Sequence, residues 1–136
     1  TSQKGQPRPD RSEIISTDRV SNYGTKPFGS DWPVAPASPI MGIYAAATRR
    51  TLDGKNPQGW VPGQKINAEQ GLLAYTKNAA FASFDDDKKG TLEVGKLADF
   101  VILSDDITKM NGPEIKEVQV LETYVGGKKL FDRKAE

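Results

Sequence analysis

The chain has no cysteine and no histidine. Without cysteine there can be no disulfide, thiolate metal site or cysteine nucleophile, and the balance leans towards a cytoplasmic protein. Without histidine, a Ser-His-Asp triad or a histidine-built metal centre cannot form within these 136 residues. Charge of one sign is also lacking. Nineteen Lys and Arg face eighteen Asp and Glu, leaving +1 overall, so there is no footprint for nucleic acid or an anionic membrane. No apolar run approaches the ~20 residues that span a bilayer, and the first ten residues are polar rather than signal-like. The reading is of a soluble chain, long enough for one ordinary domain or two small pieces.

What is present centres on Gly29-Ser30-Asp31-Trp32-Pro33-Val34. A short, partly apolar run, residues 25–30, reads as a strand, although Pro27 lacks the N–H for a ladder. Asp31 then stands where the strand stops, because Pro33 prevents regular structure from continuing. In α/β architectures ligands and catalytic groups gather at the carboxyl ends of strands, which makes Asp31 the first candidate for chemistry. Asp-X-Pro is equally ordinary turn chemistry, with the carboxylate accepting a backbone N–H.

Residues 1–11 read as an irregular lead-in, and residues 12–23 as a short helix capped by Ser12 and stopped by Gly24. Ser38-Pro39 begins a second helix, with serine at the cap and proline in the first turn. Ile40, Ile43, Tyr44 and Ala47 form its buried stripe at i, i+3, i+4 and i+7. It runs to about Arg50, where Arg49 and Arg50 complement the helix's negative end; a substrate contact is the alternative role for Arg49. Residues 51–65 are a Gly- and Pro-rich loop carrying Trp60-Val61 as an apolar plug. Asn67-Ala68-Glu69-Gln70 is a capping-box pattern that starts a helix continuing to about Phe81, with Ala79-Ala80 permitting close packing.

The acidic stretch Phe84-Asp85-Asp86-Asp87-Lys88-Lys89-Gly90 changes the texture of the chain. Beyond it the pattern predicts strands over residues 97–103, 118–125 and 128–132, the last two joined by a Gly126-Gly127 hairpin turn. A boundary therefore falls near residues 84–90, with α/β grammar before it and β after it.

Two motifs mislead. Gly90-Thr91-Leu92-Glu93-Val94-Gly95-Lys96 has phosphate-loop spacing, but Leu97 stands where a hydroxyl should hold Mg²⁺ and a strand follows. Asp85 to Gly90 resembles the opening of a calcium loop, yet Lys89 and Lys96 occupy liganding positions. Asp99, inside an apolar strand, reads as structural, as a carboxylate that anchors a turn by accepting backbone N–H bonds.

Five stretches occur in one order: Phe28 to Val34, Ala47-Thr48-Arg49, Ala74 to Ala80, Gly90 to Leu103, and Thr123 to Lys128. Together they resemble the C-terminal part of a metal-dependent amidohydrolase, of the amidohydrolase family 3 branch that includes N-substituted formamide deformylase-like proteins. The resemblance implies α/β plus β architecture: residues 1–84 as the end of a (β/α)₈ TIM barrel, with its last strand and outer helices, and residues 85–136 as strands of a small composite β-sandwich. It implies that Asp31 is a metal ligand and proton shuttle in the hydrolysis of non-peptide C–N bonds of the amide or formamide type, with Trp32 and Arg49 as further pocket residues. The implied cofactor is a divalent metal, Zn²⁺ by preference, with most ligands outside this chain, since one carboxylate cannot supply the roughly three protein ligands of a catalytic zinc. The implied partners are the missing N-terminal barrel polypeptide, or a complementing chain, and a small-molecule amide; homo-oligomerisation stays open. The chain is then expected to be a piece of a longer protein and inactive alone. The rival expectation is a non-catalytic β-rich binding or assembly module that keeps the family fold.

Overall fold

The computed structural model describes residues 26–135. The lead-in and the helix expected over residues 12–23 lie outside the described residues. Helix α1 (Pro39–Thr48), helices α2 (Ala68–Tyr75) and α3 (Lys77–Ala82), and strands β1 (Phe100–Leu103), β2 (Val120–Val125) and β3 (Lys128–Asp132) follow in order, with short 3₁₀ turns between them.

The stripe on α1 forms as its spacing requires. Ile40, Ile43, Tyr44 and Ala47 are all buried, together with Ala68 of α2 and Ile107, Ile115 and Val118 from beyond residue 100. The core thus draws on both sides of the boundary expected near residues 84–90, because the 3₁₀ turn Pro113–Glu117 returns to pack on α1. Pro39 occupies the first turn of α1, as expected, but the Ser38 side chain makes no capping bond. Arg49 ends the helix in the left-handed region at φ 55°, its N–H donating to the Ala45 carbonyl. That position usually goes to glycine or asparagine, so tertiary contacts must hold an arginine there.

The capping box at Asn67 is complete: its side chain accepts from the Gln70 N–H at 2.7 Å, and the Gln70 side chain accepts from the Asn67 N–H at 2.9 Å. The helix does not run unbroken to Phe81. Thr76, at φ −117° and ψ −89°, separates α2 from α3, and its hydroxyl donates back to the Leu72 carbonyl at 2.8 Å. Ala80 lies against Gly90, whose φ of 93° and missing side chain let the chain pass close to α3.

The sheet is antiparallel in the order β1-β2-β3. The hairpin between β2 and β3 turns at Gly126 and Gly127, with φ 56° and 77°. Strand β1 begins at Phe100 rather than Leu97, because Ala98 and Asp99 are bonded to that turn through the N–H groups of Gly127 and Gly126. Strand β2 begins at Val120 rather than Val118, which ends the preceding 3₁₀ turn. Phe100 and Tyr124 are cross-strand partners with rings stacked at 4.5 Å. Lys129 bridges Glu122 and Asp132 at 2.9 and 3.0 Å.

The strand expected over residues 25–30 is not seen in residues 26–30, which pair with no strand among the described residues. A strand is defined by a neighbour's ladder, and here the Phe28 N–H donates instead to the Ala74 carbonyl of α2 at 3.0 Å. Trp60 and Val61 are no plug: both are exposed. The loop is pinned at Trp60 through its backbone, not its ring. Among the described residues no helix is long and apolar enough to cross a membrane.

Candidate functional site

Asp31 opens a four-residue turn. The Val34 N–H donates to the Asp31 carbonyl at 2.8 Å, the Trp32–Pro33 peptide is cis, and Asp31 lies in the left-handed region at φ 50°. A proline at the third place in the cis form is the mark of a type VI turn. The turn is closed by the backbone carbonyl of Asp31, and no hydrogen bond to its carboxylate forms among the described residues. This separates Asp31 from an ordinary Asx turn, in which the carboxylate itself accepts a backbone N–H. Asp31 and its neighbour Trp32 both stand exposed, Trp32 at 71%.

Both arms of this turn rest on one support. On the incoming arm, the buried Asn78 of α3 donates its Nδ2 to the Lys26 carbonyl at 3.2 Å, and the Phe28 N–H reaches the Ala74 carbonyl. The Phe28 ring meets Tyr75 edge to face at 5.6 Å. On the outgoing arm, α1 crosses α2 where Gly42 faces the Tyr75 hydroxyl and Gly71 faces the Ile43 side chain. A methyl group added at Gly42 would overlap that hydroxyl and the ring carbon bearing it. Burial pushes the Tyr75 phenol above its ordinary pKa.

A cleft of about 660 Å³ runs along α1, with Gly29 and Ser30 among its walls and Arg49, Leu52 and Asp53 among the others. Arg49 caps the C-terminal end of α1 and shares this cleft with Gly29 and Ser30. Its guanidinium is engaged: Nε donates to the Trp60 carbonyl at 3.1 Å and Nη2 to Gln64 Oε1 at 3.3 Å. The Trp60 N–H and Asn56 Nδ2 return to the Arg49 carbonyl at 2.8 and 3.1 Å. Arg49 therefore fastens the loop of residues 51–65 to the end of α1. Trp32 follows Asp31 in the chain, and Arg49 lines the cleft that Ser30 also lines. The Thr51 hydroxyl and Lys55 hold the Asp53 carboxyl below its usual range and commit it within that loop.

Residues 3–131 match the model of the Amidohydrolase family. The chain belongs to that family. It is 33% identical over 125 residues to N-substituted formamide deformylase of Arthrobacter pascens, covering 92% of this chain and 21% of that protein. It is 43% identical over 104 residues to the protein LONG AFTER FAR-RED 3 of Arabidopsis thaliana, covering 76% of this chain and 17% of that one. This amidohydrolase chain thus spans about a fifth of the length of the curated relatives it matches. No solved structure matches it.

The donor set limits what these residues do alone. Among the described residues no three acidic side chains cluster so as to hold a metal ion. Asp31 is a single carboxylate, Asp53 is occupied, and a catalytic zinc takes about three protein ligands. The described residues of the amidohydrolase chain do not by themselves form a metal site.

The residues that hold the turn were not singled out by sequence reasoning. Tyr75 and Asn78 read there only as part of the helix begun at Asn67 and of the stretch Ala74 to Ala80. One signal was legible: Gly42 interrupts a helix, at a cost of ~1 kcal/mol relative to alanine, and such a glycine often marks a close approach.

Proposed function

We propose that this chain is the C-terminal portion of a metal-dependent amidohydrolase that hydrolyses non-peptide C–N bonds of the amide or formamide type, and that Asp31 is its contribution to the reacting centre. The observation that carries the reading is the match along residues 3–131, joined by the likeness to a formamide deformylase over 92% of the chain. It is supported by the exposed Asp31 carboxylate on a turn closed without it. In this reading residues 1–84 complete a (β/α)₈ barrel and residues 85–136 belong to a composite β-sandwich. Residues 28–30 gain strand pairing from the remaining polypeptide, which also brings the other metal ligands. A bound divalent metal, zinc by preference, would supply a water of pKa about 7 in place of 15.7. Asp31 would serve as one ligand and as the proton carrier, with Trp32 beside the substrate.

Asp31→Asn in the complete enzyme tests this, since it keeps size but loses the charge and the proton site. Turnover of an N-substituted formamide should fall by orders of magnitude, with the unfolding midpoint little changed. Retention of wild-type turnover would remove Asp31 from the chemistry.

A second reading, a non-catalytic β-rich binding module, draws on the half-exposed apolar residues of the sheet, Val101 at 48% and Leu130 at 62%. It requires the complete protein to bind no divalent metal in stoichiometric amount, which elemental analysis decides.

A further inference from the structure

We infer that Tyr75, seated on Gly42 and edge-on to Phe28, is the positioning residue that sets the Asp31 turn, with Asn78 as its second fastening. The inference rests on the proposed catalytic role of Asp31.

The turn has few interactions of its own. Residues 31–37 are exposed, and the bond between Val34 and Asp31 is the backbone contact that closes them. A carboxylate on such a segment is placed by whatever fixes the two ends. Both ends converge on α2 and α3. The incoming arm is held at Lys26 by Asn78, and at Phe28 by the Ala74 carbonyl and the Tyr75 ring. The outgoing arm is held where Gly42 admits the Tyr75 hydroxyl, one residue from the buried Ile43. A single side chain thus touches the chain three residues before Asp31 and eleven after it. It also forms part of both large clefts, one beside α1 and one between the helix pair and β1.

The contacts of Tyr75 are with Phe28 and Gly42, so its effect on catalysis passes through the backbone. Displacing α1 from α2 moves the outgoing arm relative to the incoming one and rotates the carboxylate between them. A misplacement of ~1 Å at a reacting group costs about 100-fold in rate. Glycine at position 42 is therefore required by geometry: a larger residue would part the helices.

The experiment compares Gly42→Ala, Gly42→Ala/Tyr75→Phe and Asn78→Ala in the complete enzyme, each also combined with Asp31→Asn. Unfolding midpoints and amide exchange at Phe28 are measured on the same samples. Gly42→Ala should stay folded, lower kcat by about 10- to 100-fold with KM within twofold, and speed exchange at Phe28. Removing the colliding hydroxyl in the double variant should return part of the lost kcat. In the Asp31→Asn background Gly42→Ala should add no further loss, as expected when one residue acts through the other. A folded Gly42→Ala enzyme with wild-type kcat, or a loss that is fully additive with Asp31→Asn, overturns the inference while leaving the role of Asp31 intact. If Gly42→Ala does not fold, Asn78→Ala is judged by the same two criteria. Full activity in Asp31→Asn alone overturns both the catalytic reading and this one.

Discussion

Asp99 Oδ1 accepts the Gly126 N–H at 2.6 Å, across 27 residues of sequence. The Ala98 carbonyl accepts the Gly127 N–H at 2.9 Å beside it. The residues leading into β1 therefore hold the β2–β3 turn from outside the ladder, and the glycine pair adopts positive φ under that restraint. The apolar run leading into β1 tolerates a carboxylate at this point because the turn supplies its donor.

Replacing Asp99 by alanine removes that bond and leaves the Gly126 N–H to water. The expected loss is about 1 kcal/mol, since the site is partly exposed. Asp99→Asn, which keeps an acceptor oxygen, should lose less. Urea unfolding of the complete protein measures both, and an unchanged midpoint in Asp99→Ala would rule out the anchor.

Ile115 is fully buried and joins Ile43 in the core where the 3₁₀ turn meets α1. Ile115→Ala should cost about 2–5 kcal/mol, the range for truncating a buried aliphatic side chain where the cavity cannot close. Denaturant unfolding reads the loss directly. A cost below 1 kcal/mol would mean that the turn does not share the helical core.

Asp106 is held at a pKa of about 2, first by the hydrogen bond from Lys109, 2.8 Å away, and then by Thr108. Its folded pKa lies below the ordinary 3.8 of an aspartate, so the interaction stabilises the fold above that value and fades as pH falls towards 2. Wild type should exceed Asp106→Asn in stability at neutral pH, and the gap should close between about pH 4 and pH 2. Thermal unfolding of the two proteins across that window decides it.

How far sequence reasoning reached depended on the distance over which each feature is determined. The Asn67 capping box, the α1 stripe, the Gly126-Gly127 turn and the exact span of β3 were legible, because each is fixed by residues a few places apart. The turn-anchoring role of Asp99 was legible as a type of solution, though its partner was not. The break at Thr76 was hidden, since a threonine can continue a helix or bond back to it, and packing of α3 decides which. Arg49 was readable as a cation at a helix end; its bonds to Trp60 and Gln64 depend on the path of a loop. Residues 28–30 carry a strand-like pattern that needs a neighbouring strand, and among the described residues α2 takes that place.

The sequence by itself determined the family, the local caps and turns, and the presence of one carboxylate at Asp31 without histidines to accompany it. Those properties follow from residue chemistry at fixed spacing. Only the tertiary structure decided that Asp31 stands on a turn closed by its own carbonyl, that Arg49 bonds Trp60 and Gln64, and that Tyr75 meets both Phe28 and Gly42. Each of these requires segments distant in sequence to approach within contact, and such approach is set by how α1 and α2 pack around one core, which no local pattern encodes.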